Sequence, residues 1–182
     1  MLVKNFLKED ELQACIERLT IARDEPWLIE NGKGFALSQG NAGTDTQITN
    51  STTISWHGLF EEFHESLVPR VSNIFETPLK ITNDFGRIYT RGAELIKHKD
   101  GPHCDYSLTV NFKNDPEDGR WAFFAGEDEV YMTPGDAYFY RGPQVDHWRE
   151  KLEYDECWQW FFHFVEVDVP DSYWRTVHHR NK

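Results

Sequence analysis

The chain has 182 residues, 39% hydrophobic and 15% aromatic, which suits one globular domain with a sizeable core and excludes a disordered chain. With 19 Lys and Arg against 31 Asp and Glu the formal net charge is −12, and no basic strip offsets it, which disfavours nucleic acid and anionic membrane surfaces as partners. No apolar run approaches the ~20 residues of a membrane span, acidic residues interrupt the N-terminal stretch where a signal peptide would stay apolar, and Cys15, Cys104 and Cys157 are too scattered for a disulfide framework, so a cytoplasmic location is expected.

Asp10 can cap a first helix, with Gln13 three positions on, and Leu12, Cys15, Ile16, Leu19 and Ala22 then share one face until the helix ends before Pro26. Residues 31–46 carry four glycines and read as a loop, a candidate lid. Gln47–Ser55 reads as a strand. A second helix is expected over 57–75, with Phe60, Phe63, Leu67, Val71 and Phe75 inward and Pro69 kinking or splitting it. From residue 79 short β-favouring segments follow one another at 79–83, 85–90, 94–97, 106–112, 121–125, 129–132, 137–140 and 158–167, separated by turn signals. The expected architecture is mainly β with N-terminal helices (α+β). Residues 1–182 form one domain, 1–78 supplying helical support and loop and 79–167 an all-β sandwich or barrel.

Eight histidines raise the question of metal ligation. In His98-Lys99-Asp100 an imidazole and a carboxylate lie two apart, and on an extended segment both point to one side. His147, beyond the strand Ala137–Tyr140 and a turn, is the best candidate for a third ligand. Two His and one carboxylate on one face leave three positions open on an octahedral Fe(II). His103-Cys104-Asp105 is a competing His-x-Asp pair, with the Cys104 side chain expected to face away from it. His98 and Asp100 are preferred because Asp105 leads straight into the strand Ser107–Phe112, which leaves His103 behind the ligands or facing substrate. Among the aromatics, Tyr138, Tyr140, Trp158, Trp160 and Phe162 are expected to fill core, while Gln159 and His163 share one face and point into a polar interior.

The run RIYTRGAELIKHKDGPHCDYSLT (87–109), followed by PGDAYFYRG (134–142) and HWRE (147–150), resembles the metal-binding segments of 2-oxoglutarate/Fe(II)-dependent oxygenases of the prolyl-hydroxylase-like type. The resemblance covers about residues 80–165. It implies a double-stranded β-helix (jelly roll) core, with His98, Asp100 and His147 as catalytic iron ligands and Tyr89 bonded to the cosubstrate. It also implies Fe(II), 2-oxoglutarate and O2, with ascorbate as an accessory requirement. Oxidative decarboxylation of the keto acid to succinate and CO2 would accompany hydroxylation of a C–H bond. Halogenating relatives lack a carboxylate at the position of Asp100, so hydroxylation is the expected outcome. One departure stands out. Relatives often carry a Lys or Arg some nine to fifteen residues after the distal His, whereas Glu156–Phe162 holds no basic residue. Arg149, Lys113 and Arg87, in that order, are the candidates to pair with the distal carboxylate of 2-oxoglutarate.

Two readings of other classes compete: a non-redox, cupin-like metal-binding jelly roll, and a catalytically silent binding module. A peptidyl proline, a free amino acid, a nucleobase or a small metabolite all suit the pattern as substrate, and the sequence sets no oligomeric state.

Overall fold

A computed structural model describes residues 1–24, 36–40, 48–55 and 60–172. Helix α1 (Glu9–Asp24) buries Leu12, Cys15, Leu19 and Ala22, with Ile16 half-buried beside them. Its N-terminus is capped two residues earlier than expected: the Lys8 N–H donates to Glu11 Oε2 at 2.8 Å. Asp10 therefore lies within the first turn, where its charge still favours the positive end of the helix. Helix α2 (Glu61–Phe75) buries His64, Leu67 and Val71 and ends at Glu76, whose φ of 53° is left-handed and whose N–H bonds back to Asn73 O. Pro69 does not split it. The carbonyl that Pro69 leaves without a helical partner belongs to Glu65, an exposed residue, where solvent can replace the bond. No helix among the described residues is long and apolar enough to cross a membrane.

Ten strands follow or interleave with the helices among the described residues: β1 (Leu2–Val3), β2 (Ala36–Gly40), β3 (Ile48–Ser55), β4 (Leu79–His98), β5 (Tyr106–Asp115), β6 (Ala122–Ala125), β7 (Asp128–Tyr131), β8 (Ala137–Tyr140), β9 (His147–Arg149) and β10 (Glu156–Glu166). All pair antiparallel, in the order β1-β8-β5-β10-β4-β9-β6-β7, with β3 on the other edge of β4 and β2 beyond it. Strands β1 to β3 thus carry the sheet into the first 78 residues. The glycine-rich segment is not wholly loop, since Ala36–Gly40 pairs with Ser51–Ser55. Residues 31–35 and 41–46, and the lid expected there, lie outside the described residues.

The three segments expected at 79–83, 85–90 and 94–97 are one strand. Asn83 and Asp84 do not turn the chain, because they pair with His163 and Phe162 of β10, and Asp84 Oδ2 accepts the Trp160 indole N–H at 2.9 Å. Gly92, at φ +86°, bends β4 without ending it. Up to Thr90 the neighbour is β10; from Leu95 to His98 it is β9. A single strand therefore belongs to both sheets of the jelly roll, and its far end delivers His98 to the second.

Strand β10 divides the interior by simple alternation. Trp158, Trp160, Phe162 and Phe164 join Leu108, Val110 and Phe112 under the two helices, where each fully buried ring or aliphatic group contributes roughly 1.5–3 kcal/mol. Gly86 makes room for Trp160: a Cβ there would lie 2.1 Å from Trp160 Cε3. On the other side of β10, Cys157, Gln159, Phe161 and His163 face the space between the sheets, so the expectation for Gln159 and His163 holds. Tyr138 and Tyr140 pack with Phe123 across that space, while Phe139 turns to the helices.

Candidate metal centre

His98 closes β4 and His147 opens β9, and the two are directly opposed in the ladder. The preceding pair is Leu95 with Arg149, so β4 spends Ile96 and Lys97 where β9 spends only Trp148. This bulge keeps both Leu95 and His98 facing inward and pushes Ile96, 57% exposed, out to solvent. The imidazole centroids lie 4.2 Å apart. Asp100 follows as β4 leaves the sheet, held by its N–H to Gly142 O at 3.1 Å. Its Oδ1 lies 3.5 Å from Nε2 of His98 and 3.5 Å from Nε2 of His147. Gly142 is needed there, since a Cβ would sit 2.6 Å from Asp100 Oδ2.

Each imidazole is oriented from behind. His98 Nδ1 bonds Ile96 O at 2.8 Å and His147 Nδ1 bonds Val145 O at 3.0 Å. A carbonyl only accepts, so each Nδ1 carries the hydrogen and each Nε2 is turned to the shared centre, the arrangement that second partners impose on metal-binding His. Burial alone would raise the Asp100 carboxyl, but the His147 and His98 rings outweigh it and hold the group well below the usual carboxylate range. Burial lowers His98, yet Asp100 and the Ile96 carbonyl raise it further, and the net direction is up. The ligand atoms of the three residues lie within 4.8 Å of one another. Two neutral nitrogens and one carboxylate oxygen on one side suit a six-coordinate Fe(II) with its other face open.

The competing pair does not converge in the same way. Asp105 is taken by Arg141, whose Nη2 lies 2.7 Å from Asp105 Oδ1 and whose guanidinium stacks on Tyr106. Cys104, however, turns inward: it is buried, and its sulfur lies within 4.8 Å of ligand atoms of Asp100 and His163. The His-Cys-Asp spacing gave no hint of this, because a single turn of 3-10 helix (Pro102–Cys104) replaces the extended chain assumed there.

The cavity before the three ligands is lined by Arg87, Tyr89, Tyr140 and His163 and by the rings of Phe85, Phe123 and Phe161. Tyr89 is fully buried and packs edge-on to Trp121. Of the three cations singled out, Arg87 reaches this wall. Arg149 is outside that lining, 2% exposed, its guanidinium 4.6 Å from the Trp121 ring centroid and 5.0 Å from that of Phe123. One of its nitrogens donates to Trp121 O at 3.0 Å, while Nη2 is buried without a hydrogen-bond partner among the described residues. Lys113 is not brought to the site: its ammonium lies 4.9 Å from the Trp158 ring on the helix side of the sheet. His163, which sequence reasoning took only as far as the interior, stands in the cavity wall, and burial holds it at about 4, hence neutral.

These features define a double-stranded β-helix with two His and one carboxylate gathered on one face. The chain has the fold of the 2-oxoglutarate/Fe(II)-dependent oxygenases. It superposes on HygX from Streptomyces hygroscopicus, solved with nickel, 2-oxoglutarate and hygromycin B, at a TM-score of 0.64, with 12% identity over 92% of this chain and 83% of that one. SnoN, a non-heme α-ketoglutarate-dependent epimerase from nogalamycin biosynthesis, gives 0.67 and 11% identity over 92% and 77%. A prolyl hydroxylase from Trichoplax adhaerens, bound to a hypoxia inducible factor peptide fragment, gives 0.61 and 14% over 90% and 82%. No protein-family model and no curated protein matches the sequence.

Proposed function

We propose that the chain is an Fe(II)- and 2-oxoglutarate-dependent oxygenase that hydroxylates an unactivated C–H bond, releasing succinate and CO2. The observation that carries this reading is the convergence of His98, Asp100 and His147, with both Nε2 atoms turned to one centre by bonds behind them. The donor set fits a ferrous ion, which when bound with the keto acid would supply O2 activation. His98, Asp100 and His147 would hold that ion and leave room for other ligands.

Arg149 is the residue to receive the distal carboxylate of 2-oxoglutarate. Among the described residues it has no ion-pair partner, and a buried guanidinium with a bare N–H is costly until an anion completes it. Tyr89 and Arg87 line the nearer wall, where a hydroxyl and a second cation can orient the acid. Phe85, Phe123 and Phe161 exclude water around it. A small-molecule or peptidyl substrate is the expected class; HygX holds hygromycin B and the prolyl hydroxylase a peptide.

The test is anaerobic addition of Fe(II) and 2-oxoglutarate to the metal-free protein. A visible metal-to-ligand charge-transfer band is expected, followed by succinate release when O2 is admitted. Both should vanish in His98→Ala and Asp100→Ala and persist in His103→Ala and Asp105→Asn. Absence of the band would return the chain to the silent or non-redox readings. A product isomerised without added oxygen would replace hydroxylation with epimerisation.

A further inference from the structure

Asp100 belongs to two clusters of potential ligands. Apart from His98 and His147 it has the Cys104 sulfur and a ring nitrogen of His163 around it, the ligand atoms of these three lying within 4.8 Å of one another. Both added residues are almost fully buried, Cys104 at 4% and His163 at 2% exposure. Neither is used by the ferrous set.

Ser107 fixes how His163 presents itself. The Ser107 hydroxyl donates its one hydrogen to Cys104 O at 2.9 Å, so toward His163 Nδ1, 3.0 Å away, it can only accept. Nδ1 therefore carries the ring hydrogen and Nε2 is a bare acceptor. That Nε2 is buried and has no partner among the described residues. An unsatisfied buried acceptor costs about 1–3 kcal/mol, which something bound beside it would recover. Cys104 Sγ and an Asp100 oxygen lie within 4.8 Å of a nitrogen of the same ring, and neutral imidazole, thiolate and carboxylate are the ligands that zinc-type ions select.

We propose that Asp100, Cys104 and His163 form a second metal site, for a thiophilic divalent ion of the zinc type, overlapping the ferrous set at Asp100. As the ion enters, the Cys104 S–H bond breaks, its electron pair forms the sulfur–metal bond, and the proton leaves to solvent; nothing is oxidised or reduced. Ligand atoms around a tetrahedral ion stand about 3.5 Å apart, so the trio would close by up to about 1 Å. Sharing Asp100 makes the two sites antagonistic, so a thiophilic ion loosens the ferrous ion without displacing it from His98 and His147 directly. The site does not require the chain to be an oxygenase.

Cobalt(II) is the probe, because thiolate ligation alone gives it a near-ultraviolet sulfur-to-metal charge-transfer band. Titration of the metal-free full chain should produce that band in the parent and in His147→Ala, and abolish it in Cys104→Ser and His163→Phe. Zn(II) should quench it. No band in the parent, a band that survives in Cys104→Ser or in His163→Phe, or loss in His147→Ala would each overturn the second site. If Cys104→Ser fails to fold, Cys104→Ala and His163→Gln carry the same reading. The proposed oxygenase can fail while this band appears, since His147→Ala removes the ferrous set but keeps the trio.

Discussion

His98 and His147 stand opposite each other across the β4–β9 ladder, and the two-residue excursion at Ile96 and Lys97 is what makes them face the same way. A ladder has a side-chain period of two, so giving β9 a residue for each of Ile96 and Lys97 would abolish the bulge and turn the pair beyond it to the other face. Insertion of one alanine between Trp148 and Arg149 should therefore rotate His98 and His147 away from the face of Leu95 and Arg149 while leaving the pairing of Leu79–Thr90 with β10 intact. The expected result is a far-ultraviolet circular dichroism spectrum close to the parent's and a fall in apparent Fe(II) affinity of at least about 100-fold. Affinity within a few-fold of the parent's would show that the bulge does not set the ligand geometry.

The cluster of His98, Asp100 and His147 was legible in the sequence because His-x-Asp on an extended segment needs only a period of two, and His147 followed a recognisable strand and turn. The helix stripe of Leu12, Cys15, Leu19 and Ala22 was legible for the same reason at a period of 3.6. Three things were not. Asn83-Asp84 and Arg91-Gly92 look like turns, yet Asn83 and Asp84 pair with β10, and the N–H groups of Arg91 and Gly92 bond Asp155 O and Leu152 O, which overrides local preference. Cys104 turns inward because one short helical turn breaks the alternation assumed for it. Lys113 ranks ahead of Arg87 in the sequence, yet Arg87 lines the cavity and Lys113 does not, since which face each side chain takes depends on register shifts, such as the one between Trp158 and Gln159, that no local pattern announces.

Arg149 and Lys113 now separate cleanly. Arg149→Met keeps the length and apolar stacking between Trp121 and Phe123 but removes the charge. It should raise the 2-oxoglutarate concentration needed for half-maximal charge-transfer signal by about 10- to 100-fold, the equivalent of about 1.4–2.8 kcal/mol and in the range of a charge-assisted bond. Lys113→Met should leave that concentration unchanged, because its ammonium lies over Trp158 on the far side of the sheet. Equal effects, or an effect of Lys113 alone, would reassign the cation.

Gly86 leaves no room for a side chain in the helix-facing core. A methyl group there would collide with Trp160, which is fully buried beneath Phe60 with ring centroids 4.4 Å apart. Trp160 has nowhere to retreat, being also stacked on Phe112 and tied to Asp84 through its indole N–H. Gly86→Ala should cost at least about 1–3 kcal/mol, the usual penalty of overpacking, read as a lower urea midpoint with little change in slope. Because the methyl faces the helices and not the cavity, any protein that still folds should bind Fe(II) normally.

Asp136 ties the N-terminal segment to the barrel, and its protonation should set how that tie responds to acid. Its carboxylate, 1% exposed, accepts from Lys4 Nζ at 2.7 Å, from the Asn5 N–H at 3.0 Å, and from both the N–H and the hydroxyl of Thr133 at 2.7 Å. Burial would raise the carboxyl, but these donors outweigh it, and the folded-state value lies below that of an unfolded aspartate. A lowered value means the charged form is favoured by folding. The associated stability is fully present above the unfolded value, near pH 4, and is lost as pH falls through the folded one. Asp136→Asn keeps the shape, loses the charge and forces an amide N–H₂ against these donors. It should therefore destabilise by about 2–3 kcal/mol at neutral pH, in the range of charge-assisted bonds left incomplete. The gap between parent and variant should narrow as pH drops below about 4, because the parent then loses the same charge. Urea unfolding of both proteins at about pH 7 and about pH 3 measures it. A gap that stays constant between the two would mean that the carboxylate's charge contributes nothing to docking the N-terminal segment.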